Sequence, residues 1–163
     1  MIKHSIAFHI LFTISFFLLA LNNNSFNIKW VNNFKGDFAF SRRQNLECDA
    51  WCYEYAGVSH IVTKKLSSDT IECYTLRDVG THSALHFYLV KDEVCKPRIE
   101  LTSIVRSKGG SHRIYHCKSC TMKIDTKYYK KGILKAEFDM EFDHPENINQ
   151  KMYWKGKIFS RIK

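Results

Sequence analysis

His112, His116, Cys117 and Cys120 stand as His-x3-His-Cys-x2-Cys, two imidazoles and two thiols at spacings found in zinc sites. On a strand, however, His112 and His116 share a face while Cys117 points to the other, so the four converge only where the backbone bends. His82 and His86 repeat the His-x3-His spacing, and with His60 as a third ligand they would suit copper or zinc. Surface or half-buried histidines are far commoner than ligands. The expectation is therefore no cofactor, with zinc on the His112–Cys120 segment as the alternative. Cys117-Lys118-Ser119-Cys120 also has the form of a redox dithiol. That chemistry needs a thiol at a helix N-terminus in a βαβ context, and here the flanks read as strands.

The six cysteines are Cys48, Cys52, Cys73, Cys95, Cys117 and Cys120. An even count in an exported chain is most simply a disulfide framework, whose pairing the sequence does not fix. Cys117 and Cys120 flank a possible two-residue turn, Cys73 and Cys95 could staple consecutive elements, and Cys48 with Cys52 would be a local pair.

Acyl-transfer chemistry finds little support, because no G-x-S-x-G nucleophile elbow occurs. A Cys–His pair would need an unpaired thiol, which an oxidising compartment disfavours. Glu137, Asp139, Glu141 and Asp143 form an acidic row that could serve glycoside cleavage or calcium. The competing reading is that these acids pair with lysines on a neighbouring strand. No phosphate loop or dinucleotide fingerprint appears. The balance leans away from an enzyme.

Contact chemistry is better represented. Trp51, Tyr53 and Tyr55 lie beside Asp49 and Glu54 in the irregular Cys48–Gly57 segment. Aromatics on such a loop bring large contact area at low entropic cost. The alternative is that Trp51 and Tyr55 cap one end of the core.

The elements that must carry these residues begin with an export signal. Met1-Ile2-Lys3-His4 is followed by a nearly unbroken apolar block, Ile6 to Leu21, and a small polar exit. That order is a secretory signal peptide, placed here at residues 1–22, with a single domain over 23–163. The block is short for a bilayer span and contains His9, so no permanent membrane span is expected after cleavage. The expected localisation is secreted or periplasmic. The chain of 163 residues carries 25 Lys and Arg against 16 Asp and Glu, a formal charge of +9 and a pI near 9.3. The basic residues are spread rather than clustered, which suits solubility, and export makes nucleic acid an unnatural partner.

Beyond the signal, β patterns dominate. Phe26 to Val31 reads as a first strand. Ser59 to Leu66, a turn at Ser67-Ser68-Asp69, and Thr70 to Arg77 read as a hairpin. Ala84 to Val90 is apolar on both faces and belongs in the middle of a sheet. Lys91-Asp92-Glu93 turns the chain into a strand over Arg98 to Arg106. Arg113 to Cys117 and Thr121 to Asp125 are expected to bracket a turn at Lys118-Ser119. The closing hairpin, 133–162, is the clearest element. Ala136 to Asp143 and Met152 to Ile162 both alternate, and the register that sets Phe142 opposite Met152 also sets Asp139 opposite Lys155 and Glu137 opposite Lys157. Many short strands with almost no helical periodicity predict an all-β antiparallel sandwich or barrel of about eight to ten strands.

At Phe34 to Phe40, Cys48 to Gly57 and Met152 to Lys157 the chain resembles uncharacterised exported proteins of the Bacteroidetes. That resemblance implies secretion or a periplasmic location and transfers no functional residue. The expectation is a secreted or periplasmic, non-catalytic binding module with an unknown protein or glycan partner. One alternative is a small secreted enzyme or metal-binding protein using His112–Cys120. The other is an inhibitor or immunity-type protein acting through the Cys48–Gly57 loop.

Overall fold

In a computed structural model of the chain, the described residues are 24–34, 44–49, 58–59, 61–76, 83–103, 111–142 and 152–163, with backbone alone at 44–49, 58–59, 102–103 and 111. They form ten strands in the order β1 (Ser25–Val31), β2 (Gln44–Asp49), β3 (Val58–Ser59), β4 (Ile61–Lys65), β5 (Thr70–Thr75), β6 (Ser83–Val90), β7 (Glu93–Ser103), β8 (Ser111–Asp125), β9 (Ile133–Phe142) and β10 (Met152–Arg161). One helical turn, α1 (Thr126–Tyr129), joins β8 to β9. Strands β4 to β10 run as an antiparallel meander that, with β1, makes a nearly closed eight-stranded barrel.

The closing hairpin takes the register its alternation predicts. Met152 faces Phe142, Lys155 faces Asp139 and Lys157 faces Glu137. Ala136, Phe138, Met140, Phe142, Met152, Trp154 and Ile158 are buried on the shared inner face. Each large apolar side chain so buried stabilises the fold by about 1.5–3 kcal/mol. From the opposite wall Leu85, Phe87, Leu89 and Ile99 point inward, each 0–1% exposed. A barrel of this size fills its interior with side chains rather than leaving a channel.

Closure is made at the end of β10. Lys65 N donates to Lys163 O (2.6 Å), and Lys163 N reaches Thr63 O (3.4 Å). The buried Thr63 hydroxyl donates to Arg161 O at 2.9 Å. The first half of β10, Tyr153–Gly156, pairs instead with β2. A second strand is wedged into the opposite seam: β1 runs antiparallel to β7 through Ser25–Asn27 and parallel to β8 through Ile28–Val31. This parallel pairing departs from the all-antiparallel expectation. Farther along, β7 and β8 meet directly, from Arg98↔His116 to Ser103↔Ser111.

The two ends of the barrel differ. At one end β4–β5 is closed by residues 66–69, where Leu66 N donates to Thr70 O (2.9 Å), and β6–β7 by Lys91-Asp92, with Lys91 at φ 53°. The β8–β9 link is ordered by Asp125, whose Oδ1 accepts from Lys127 N (3.0 Å) and Tyr128 N (3.2 Å) as the cap of α1. At the other end β5, β7 and β9 stop at Thr75, Ser103 and Phe142, and the longer links to the next strands lie, from residue 77, 104 and 143 on, outside the described residues.

Two expectations are corrected. First, β8 is continuous from Ser111 to Asp125, with no turn at Lys118-Ser119. The pattern breaks there because of a bulge: the register shifts between Cys117 and Ser119 against β9. Second, Cys73, Cys95, Cys117 and Cys120 are all free thiols, so the disulfide framework is not formed among the described cysteines. Cys73 lies opposite the buried Phe87, and Cys95 opposite the half-exposed Tyr88 on β6's other side. The two thiols thus project from opposite faces of the sheet with a strand between them. Cys117 and Cys120 sit along one strand with Cβ bonds running side by side. Same-face neighbours on a strand are about 6.6 Å apart, against the ~3.8 Å between Cβ atoms that a disulfide needs. Cys52 and the side chain of Cys48 lie outside the described residues.

Candidate functional site

Four side chains from three adjacent strands meet on the outer face of the barrel. Glu72 comes from β5, His86 from β6, and Arg98 and Glu100 from β7. His86 Nε2 is 2.9 Å from Glu72 Oε1. Its Nδ1 receives a hydrogen bond from Arg98 Nη2. The Arg98 Nε donates to Glu100 Oε1 at 2.9 Å, and the same oxygen lies 3.5 Å from His86 Nδ1. All four side chains are only 16–21% exposed. The Arg98 guanidinium also lies 5.9 Å from the Tyr88 ring centre, and the His86 ring 5.0 Å from it.

A backbone irregularity produces this arrangement. On β6 only Phe87 separates His86 from Tyr88, but their partners on β7 are Arg98 and Cys95, so β7 carries one extra residue around Lys96-Pro97. Lys96 has φ 51°, and Pro97, which has no N–H to give a ladder, is accommodated by the bulge. The extra residue sets Arg98 directly across from His86.

Burial and charge act against each other on Glu100. Desolvation pushes its pKa up, but the hydrogen bond and charge of Arg98 outweigh it and hold the carboxyl below its usual range. Glu100 is therefore a fixed anion at neutral pH.

Beside the quartet the surface is concave. The β5–β6 ladder ends at Tyr74↔His86, and beyond it the Thr75 hydroxyl accepts the Leu85 N–H at 3.0 Å in place of a main-chain partner. The pocket that opens has a volume of about 410 Å³ and is lined by Lys64, Glu72, Tyr74, Leu76, His86 and Glu100, among others. Leu76 is 47% exposed, an apolar edge to a polar hollow.

The predicted site residues fall elsewhere or apart. His112 and His116 are exposed on the outer face of β8, while Cys117 is buried and Cys120 half-buried on the inner face. His112 comes only as close as 3.8 Å to Glu100 Oε2. The bulge that brings the two thiols to one face leaves the two imidazoles on the other. Among the described residues no group of three or more His, Cys, Asp or Glu side chains is placed to hold a metal ion. His60 and His82 lie outside the described residues, as do Trp51, Tyr53 and Tyr55. In the acidic row, Glu137 lies 3.9 Å from Lys157 Nζ, an exposed pair of the kind worth ~0.2–1 kcal/mol. Glu72, Arg98 and Glu100 were not singled out by sequence. Only the cross-strand pairings Tyr74↔His86 and His86↔Arg98 bring them together.

No family model matches this chain, and neither curated proteins nor solved structures show significant similarity to it. Among the described residues no helix is long and apolar enough to cross a membrane.

Proposed function

We propose that the protein is an exported, non-catalytic binding module that takes a neutral, hydroxyl-rich ligand, a glycan, in the pocket beside His86. The observation that carries this reading is the pre-tied polar wall of that pocket. Glu72, His86, Arg98 and Glu100 hold one another in place before any ligand arrives, which lowers the ordering cost of binding. Lys64, Glu72 and Glu100 line the pocket and Arg98 is tied to Glu100 beside it, so the formal charge of the four sums to zero and neither a cation nor an anion is favoured by the cluster as a whole. The Glu72 and Glu100 carboxylates and the Lys64 ammonium supply the acceptors and donors that sugar hydroxyls need, and Tyr74 lines the pocket beside them.

The same geometry argues against glycoside hydrolysis. A hydrolase needs one carboxyl kept protonated as general acid, which requires a raised pKa, and Glu100 is held low. Both ring nitrogens of His86 are engaged, so the imidazole is poorly placed to serve as a free base.

The test is a panel of neutral oligosaccharides titrated into the labelled protein and followed by amide chemical shifts. Binding that maps to β5–β7 and weakens at least tenfold in Tyr74→Ala supports the reading. Failure of every glycan to shift these amides, or release of cleaved sugar that stops in Glu100→Gln, overturns it.

A further inference from the structure

The Cys117–Cys120 segment points to a chemistry independent of the outer pocket. In a regular strand, residues three apart face opposite ways. The bulge at Lys118-Ser119 adds one residue, so Cys117 lies opposite Phe142 and Cys120 opposite Met140, both inward-facing positions of β9. Met140 is fully buried and also lies opposite Trp154. Two thiols and a thioether therefore line one patch of inner wall on β8 and β9, toward the end of the barrel with the longer connections. The thiols are close enough that charge on Cys117 raises the pKa of Cys120.

We infer that Cys117, Cys120 and Met140 form a three-sulfur site for a soft monovalent metal ion of the Cu(I) class. Thiolate and thioether donors select such ions over zinc, calcium or magnesium, and two thiolates sharing one metal sit roughly 4 Å apart given metal–sulfur bonds of about 2.3 Å. Two same-face thiols that do not bridge to each other can still turn their sulfurs toward one shared ion. The Cys117 thiol already points its proton at Ser119 O (2.9 Å), so binding breaks that contact. Loading one ion releases two protons, one from each thiol, with no change of oxidation state. Apparent affinity therefore rises up to a hundredfold per pH unit below the thiol pKa values.

The experiment uses the full reduced chain without oxygen, titrated with Cu(I) against a chromophoric chelator. One equivalent is expected, weakened at least a hundredfold in Cys117→Ser and in Cys120→Ser and unchanged in Cys95→Ser and His112→Asn. X-ray absorption at the copper edge is expected to show three sulfur neighbours, falling to two in Met140→Leu, a substitution close to isosteric in the core. Failure of the wild type to compete for Cu(I), retention of copper by the double serine variant, or a nitrogen-containing shell would each overturn the site. Should the serine variants not fold, the sulfur count in Met140→Leu decides the matter.

Discussion

Arg98 donates a hydrogen bond to Nδ1 of His86, and a guanidinium has no lone pair with which to accept one. The imidazole must then present a bare Nδ1 and carry its proton on Nε2, facing Glu72 Oε1 at 2.9 Å. One contact thus sets which nitrogen of His86 accepts and which faces Glu72.

Arg98→Ala is expected to release that constraint. It leaves Nδ1 of His86 and Oε1 of Glu100 short of a partner in a half-buried setting, a loss of about 1–3 kcal/mol in urea unfolding. Long-range proton–nitrogen spectra should show a single Nε2–H form in the wild type and a mixture in the variant. A mixture in both would refute the assignment.

Acid should act on the quartet through Glu100. Its folded pKa lies below the unfolded value of about 4.3, so the stability it contributes is complete above that value and is lost as pH falls through the folded pKa. Melting temperature should therefore drop more steeply below pH 5 in the wild type than in Glu100→Gln. Parallel curves would show that the Arg98 contact confers no such linkage.

The thiols should differ in reach and in alkaline behaviour. Cys95 is partly exposed, whereas Cys73 and Cys117 are 0–1% exposed and burial pushes the Cys117 thiol up to about 12. Peptide mapping after alkylation at pH 8 should find Cys95 modified in the folded protein, and Cys73 and Cys117 only as it unfolds. The raised pKa of Cys117 contributes stability that is full below the unfolded thiol value of about 8.5 and lost as pH rises toward about 12. Equal labelling rates at all three sites would contradict the packing described.

Asp125 has two tasks, and two variants separate them. Its Oδ1 caps α1, while Oδ2 lies 4.0 Å from the buried Lys135 Nζ, an ion pair too long to count as a hydrogen bond. Lys135 Nζ also lies 4.6 Å from the Tyr128 ring centre. Asp125→Ala removes cap and counter-charge together and should cost at least about 3 kcal/mol. Asp125→Asn keeps a capping oxygen, so its loss isolates the charge term. Equal losses from the two would mean that the cap contributes nothing.

The hairpin was legible in the sequence because its signal is local: alternation in Ala136–Asp143 and Met152–Ile162, with complementary charge, leaves one satisfactory register. The β4–β5 hairpin and the turn at Lys91-Asp92 were legible for the same reason. The bulge at Lys118-Ser119 was not, because an extra residue in a strand and a turn interrupt alternation alike, and only the partner strand tells them apart. Cysteine parity misled for a related reason, since Cys73 and Cys95 match in count but project from opposite faces. The His86 quartet draws on three strands and depends on the extra residue at Lys96-Pro97. No spacing within any one segment encodes it.

The wedge strand has a consequence for the order in which the barrel forms. β1 is synthesised first, yet its partners are Glu93–Cys95 on β7 and Met122–Asp125 on β8, so it must wait for most of the chain. Contacts of such separation carry a large loop-closure entropy and form late, as does the Lys65–Lys163 closure between β4 and β10. The seam between β7 and β8 thus stays open until most of the barrel exists, and its oldest strand is among the last to be seated.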